Sequence, residues 1–192
     1  MRNIPRGRNQ HRAPGGFLAF WQPVRHRNRI NVRIKTMDDI ANLRRILKTN
    51  RVIAVVGLSA NWWRPSYFVA KYLQDHGYRV IPVNPAYTEV LGEKCYPSLK
   101  EVPDKIDMVD CFRKPAEILP LAEDAIDIGA KCLWMQLGVV NDTAAKRAAD
   151  AGLDVVMDRC VKIEHGRLFG GLNWVGVNTK VISSKRPKWL PY

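Results

Sequence analysis

Apolar residues along this chain recur at two periods. Ile40, Leu43, Ile46 and Leu47 stand at helical spacing and predict a helix over 38–48, which Thr36 or Asp38 can cap. Val52 to Val56 is a short, β-branched, wholly apolar run that ends at Gly57. A strand of that kind needs cover on both faces, as a central parallel strand has. Pro65 then sits where a helix begins. Val69, Ala70, Tyr72 and Leu73 mark the inward side of a helix over 65–76, and Gly77 stops it.

The unit repeats. Strands are predicted over 78–83, 106–112, 131–137 and 153–157. Helices are predicted over 115–128 and 142–151, closed by Gly129 and Gly152. Between the second and third strands only Ser98 to Val102 can form a turn of helix. After Asp158 the periodicity fades, and Cys160 to His165 reads as irregular. Parallel neighbours need a helical crossover, so the alternation predicts an α/β fold: a Rossmann-like, doubly wound parallel sheet of about five strands.

In such a sheet the ligand crevice lies outside the carboxyl ends of the strands, where the strand order reverses. This selects Gly57, Leu58 and Ser59 with Arg64 and Ser66 after the first strand, and Asn84 and Pro85 after the second. It also selects Phe112, Arg113 and Lys114 after the third strand, and Gln136, Leu137 and Gly138 after the fourth. In the first loop Gly57 allows a tight turn, the following helix offers N–H groups and its positive end, and Arg64 offers a forked donor; together they suit a phosphate. Singly, each has a plainer reading: a turn, a cap, a solvated charge. The dinucleotide fingerprint G-x-G-x-x-G is missing, because Ser59 stands at its second glycine. Asn84 stands where an acid would hold the ribose of NAD, and the spacing of a P-loop is also missing. A phosphate-rich nucleotide other than NAD or ATP is preferred.

Charge changes the picture less than its total of +13 implies. Nine of the 31 Lys and Arg and none of the 18 Asp and Glu fall in residues 1–36, so the rest carries 22 basic against 18 acidic residues, a net of +4. The basic segment lacks periodicity and reads as a disordered tail. Three origins compete: an arm for nucleic acid, an organelle transit peptide (though it lacks Ser), or a start codon assigned upstream of Met37. The last is preferred, because acid-capped helical sequence begins at Met37. The expected division is a tail over 1–36, a binding domain over 37–180 and a basic terminus over 181–192. No apolar run approaches a membrane span. Cys95, Cys111, Cys132 and Cys160 are widely spaced, as for reduced thiols in a cytoplasmic protein. No two histidines stand at metal-ligand spacing. Cys160 and His165 invite a nucleophile–base pair, but nothing in the sequence sets their geometry, and a packed thiol with a surface imidazole is the preferred reading.

Val55-Val56-Gly57-Leu58-Ser59, Arg64-Pro65-Ser66-Tyr67-Phe68-Val69-Ala70, Val80-Ile81-Pro82-Val83-Asn84-Pro85 and Val109-Asp110-Cys111-Phe112-Arg113-Lys114-Pro115 occur in that order. Trp134 to Gly138 and Met157 to His165 extend the set. This set resembles the small stand-alone CoA-binding domain proteins, which are similar to the CoA-binding domain of the succinyl-CoA synthetase alpha subunit. The resemblance spans about residues 37–168. It implies coenzyme A or acyl-CoA as ligand, with phosphates on the loop from Gly57 to Ser66 and adenosine near Asn84 and Pro85. The remainder of the ligand is implied near Phe112 to Lys114 and Gln136 to Gly138. Asn61-Trp62-Trp63 depart from the small or polar residues expected there; the indoles either stack on the adenine or pack locally. The second, phosphohistidine-bearing domain of the ligases has no counterpart in this length, so ligase chemistry is not implied and no reaction is assigned. The alternative is an NAD(P)-dependent oxidoreductase on the same fold.

Overall fold

The computed structural model describes residues 40–170. The expected tail over 1–36, the start of the first helix at 38 and 39, and the terminus over 181–192 lie outside them.

Strands β1 (Val52–Val56), β2 (Arg79–Val83), β5 (Met108–Cys111), β6 (Cys132–Met135) and β7 (Asp154–Val156) form one parallel sheet in the order β2-β1-β5-β6-β7. The chain leaves β1 for β2 on one side, then returns across β1 to β5 on the other. The order therefore reverses at β1, and the carboxyl ends of β1 and β5 flank the crevice. In register, Val55 faces Asp110, Asp110 faces Trp134 and Trp134 faces Val156.

Alternation along the strands sorts side chains to two faces. Ile53, Val55, Val80, Met108, Cys132, Trp134 and Val156 pack against α1 (Ile40–Thr49), α2 (Pro65–Asp75) and α5 (Val161–Phe169). Ala54, Val56, Ile81, Val109, Leu133 and Val155 pack against α3 (Ile118–Asp127) and α4 (Asp142–Asp150). The result is a three-layer α/β/α domain, as the pattern implied.

Two elements depart from the sequence reading. A small antiparallel hairpin, β3 (Glu89–Val90) and β4 (Glu93–Lys94), turns through Leu91 and Gly92, both at positive φ. The segment after Asp158, read as irregular, is α5. Its buried positions Val161, Glu164, His165 and Leu168 keep helical spacing, but two of the four are polar, which concealed the stripe. Arg159 and Arg167 both donate to the fully buried Glu164 carboxylate. Charge pairing thus makes that burial tolerable.

Candidate functional site

The loop after β1 is built on one close approach. Gly57 has φ +85° and donates its N–H to the Val83 carbonyl at 2.8 Å. A Cβ at Gly57 would lie 2.4 Å from the Phe112 carbonyl oxygen and 3.0 Å from Arg113 Cδ. The loops after β1 and β5 therefore touch at the switch point, and only glycine fits both the conformation and the gap. Leu58 is buried, and its carbonyl accepts from Asn84 Nδ2 at 2.9 Å. Asn84 Oδ1 accepts from the Ala86 N–H at 3.0 Å. Asn84 thus spends its side chain tying the β1 and β2 loops together, while Pro85 is exposed.

Ser66, buried in the first turn of α2, accepts the Ser59 N–H on its Oγ at 3.2 Å. Ser59 Oγ accepts the Asn61 N–H at 3.1 Å and lies 3.4 Å from the Tyr87 hydroxyl. Both hydroxyls shape the loop by accepting backbone N–H groups. Arg64 is exposed and stands in extended conformation at the cap position just before α2, which begins at Pro65. The first turn of α2 contains no acid, so its positive end is not neutralised locally. Arg113 and Lys114 are exposed on the facing loop; Arg113 donates to Glu117 at 2.9 Å. Trp62 and Trp63 are 57% and 69% exposed, with ring centroids 4.0 Å apart, so they pack on each other and leave ring surface open.

Across the crevice, Gln136 is buried and donates to Asp110 Oδ1 at 2.7 Å. Leu137 is exposed, and the Gly138 N–H donates to Asp158 Oδ1 at 2.7 Å. Asp110 was not singled out as a site residue from the sequence. Its only local signal is a lone carboxylate inside an apolar strand. It is fully buried, and its Oδ2 has no hydrogen-bond partner. Burial pushes its carboxyl up to about 7, against the pull of the Gln136 bond.

The Cys160–His165 pair does not form. Cys160 precedes α5, and burial pushes its thiol up, away from thiolate. His165 is buried, which corrects the expectation of a surface imidazole. Its Nδ1 lies 3.0 Å from the Tyr72 hydroxyl, and its ring meets His76, Tyr78 and Phe169. Among the described residues no cluster of His, Cys, Asp and Glu could hold a metal ion, and no helix is long and apolar enough to cross a membrane.

Residues 51–166 match the family described as a CoA binding domain. The uncharacterized protein YneT of Bacillus subtilis is 42% identical over 125 residues, which cover 65% of this chain and 93% of YneT. The solved structure of a hypothetical protein from Pyrococcus horikoshii is similar with a TM-score of 0.67 and 48% identity, covering 69% of this chain and 93% of that one. A shorter stretch of 70 residues is 36% identical to the ADP-forming acetate–CoA ligase II of Archaeoglobus fulgidus, covering 35% of this chain and 10% of the ligase. With the family match over residues 51–166 taking in the loop after β1 and the facing strand ends, the chain belongs to the CoA binding domain family.

Proposed function

We propose that this protein binds coenzyme A or acyl-CoA at the β1–β5 switch point and carries out no turnover of its own. The observation that supports this best is the α2 amino end, which carries no acid and stands at the switch point where Gly57 packs against the Phe112 carbonyl. Free N–H groups at such an end suit a phosphate. Gly57, Leu58, Ser59, Arg64 and Ser66 would hold phosphates. Asn84 and Pro85 would border the adenosine, with Asn84 acting chiefly as the clamp between loops. Arg113 and Lys114 would add charge, and Phe112, Gln136, Leu137 and Gly138 would border the arm. Bound there, CoA would supply its thiol as an acyl carrier. Residues 37–180 are the proposed binding unit, and the four cysteines, all free, suit a cytoplasmic setting.

Calorimetric titration with CoA, acetyl-CoA, 3′,5′-ADP, NAD and ATP tests the reading. CoA and 3′,5′-ADP are expected to bind and NAD not to, because Asn84 replaces the acid that would hold an NAD ribose. Tight NAD binding without CoA binding would favour the oxidoreductase alternative and sink this reading.

A further inference from the structure

Val55, Asp110, Trp134 and Val156 form one row across the sheet, and Asp110 alone in that row is polar. Its Oδ1 is held by Gln136, while its Oδ2 is sealed from solvent and has no hydrogen-bond partner among the described residues. A buried carboxylate oxygen is costly unless a donor meets it, and each such orphan in a native protein calls for an explanation. The place of Asp110 in the fold points to one. Its partner in β1, Val55, lies two residues before Gly57, and Phe112 follows on the same side of β5. Trp134, its partner in β6, donates its indole N–H to the Arg159 carbonyl at 2.7 Å, which sets the start of α5 over this row. Asp110 thus lies under the crevice floor between the phosphate-suited loop and α5. Phe112 and Cys160, both partly buried, pack against the same core cluster as Val55, Trp134 and Val156 of this row.

We propose that Asp110 recognises the pantetheine arm of CoA, its Oδ2 accepting a hydrogen bond from an N–H or S–H donor of that arm. This rests on the CoA reading above. A phosphate would be repelled by the carboxylate, whereas the arm is uncharged, slender and ends in amide N–H and thiol donors. Those donors match an acceptor set in an apolar row.

Asp110→Asn keeps the Oδ1 facing Gln136 and replaces the orphan acceptor with a donor. Wild type and D110N are titrated at pH 8 with CoA, desulfo-CoA, acetyl-CoA and 3′,5′-ADP, which lacks the arm. D110N is expected to bind CoA at least about tenfold more weakly, to bind 3′,5′-ADP as wild type does, and to melt no lower. A merely structural Asp110 would instead lose stability and both ligands together. A loss that persists with desulfo-CoA assigns the donor to an amide; one confined to CoA among the three arm-bearing ligands assigns it to the thiol. Equal CoA affinity in the two proteins would overturn the proposal. A wild type that binds neither CoA nor 3′,5′-ADP would instead sink the CoA reading itself. In wild type, the 13C carboxyl resonance of Asp110 is expected to move with CoA and not with 3′,5′-ADP; a resonance unmoved by CoA would also overturn it.

Discussion

Gly57→Ala offers the sharpest test of how the site is assembled, because two separable costs meet there. The φ of +85° is left-handed, which costs an L residue roughly 1–2 kcal/mol. The added methyl would also lie 2.4 Å from a backbone oxygen that cannot rotate away. The β1 and β5 loops would have to part by about 1 Å, an overpacking cost of about 1–3 kcal/mol. Alanine stiffens the unfolded chain, which returns about 0.4–1 kcal/mol. The net is a loss of about 1–4.6 kcal/mol, centred at about 3 kcal/mol. Gly138→Ala is the control: its φ is +83°, but nothing lies within 4 Å of its Cβ position. It carries only the conformational cost, a net of about 1 kcal/mol. Urea unfolding of the three proteins, with an unchanged slope to certify comparable unfolded states, reads the difference. Calorimetry on the folded variants is expected to show CoA affinity falling more for G57A than for G138A. Equal stability losses in the two variants would refute the claim that contact with Phe112 dictates glycine at position 57.

Arg64→Ala is expected to weaken CoA binding by about 1.5–3 kcal/mol, with Arg64→Lys recovering only part; unchanged affinity in calorimetry would remove Arg64 from the site. Burial, with help from His76 and Arg51, holds His165 below its usual 6.5. The unfolded chain therefore takes up a proton first as pH falls, so this contribution to stability is complete above about 6.5 and lost below it. Chemical denaturation at pH 8 and 5.5 is expected to show a smaller acid loss in His165→Gln than in wild type. Asp110 runs the other way. Its carboxyl rises from 3.8 to about 7 on folding, so its contribution declines as pH climbs through that window. D110N is expected to remove that decline in the same denaturation series. A protein starting at Met37 is expected to keep its fold and CoA affinity in calorimetry. Salt-sensitive RNA or DNA binding in a mobility-shift assay by the full chain alone would assign the basic tail a separate role.

Much of this fold is legible in local pattern. The unbroken apolar run from Val52 to Val56, the helical stripes and the stops at Gly77, Gly129 and Gly152 dictate parallel strands with helical crossovers, because periodicity alone states which face a residue must bury. The same pattern, with Asn84 in place of an acid and Ser59 in place of a glycine, argues against NAD. What it could not state is how polar groups in buried places are compensated. Helix α5 was hidden because Glu164 and His165 occupy its inward face, and only their meeting with Arg159, Arg167 and Tyr72 makes that stripe viable. Likewise the need for glycine at position 57 comes from a carbonyl 55 positions further along the chain. Asn84 reads in the sequence as a ligand contact, and only the fold adds that it holds the Leu58 carbonyl. Asp110 looked like one acid in an apolar strand until the sheet order set Val55 on one side of it and Trp134 on the other, with no donor for its second oxygen. Burial preference is local and can be read along the chain; the partner that satisfies a buried polar group is chosen by strand order and layer packing, which exist only once the chain has folded.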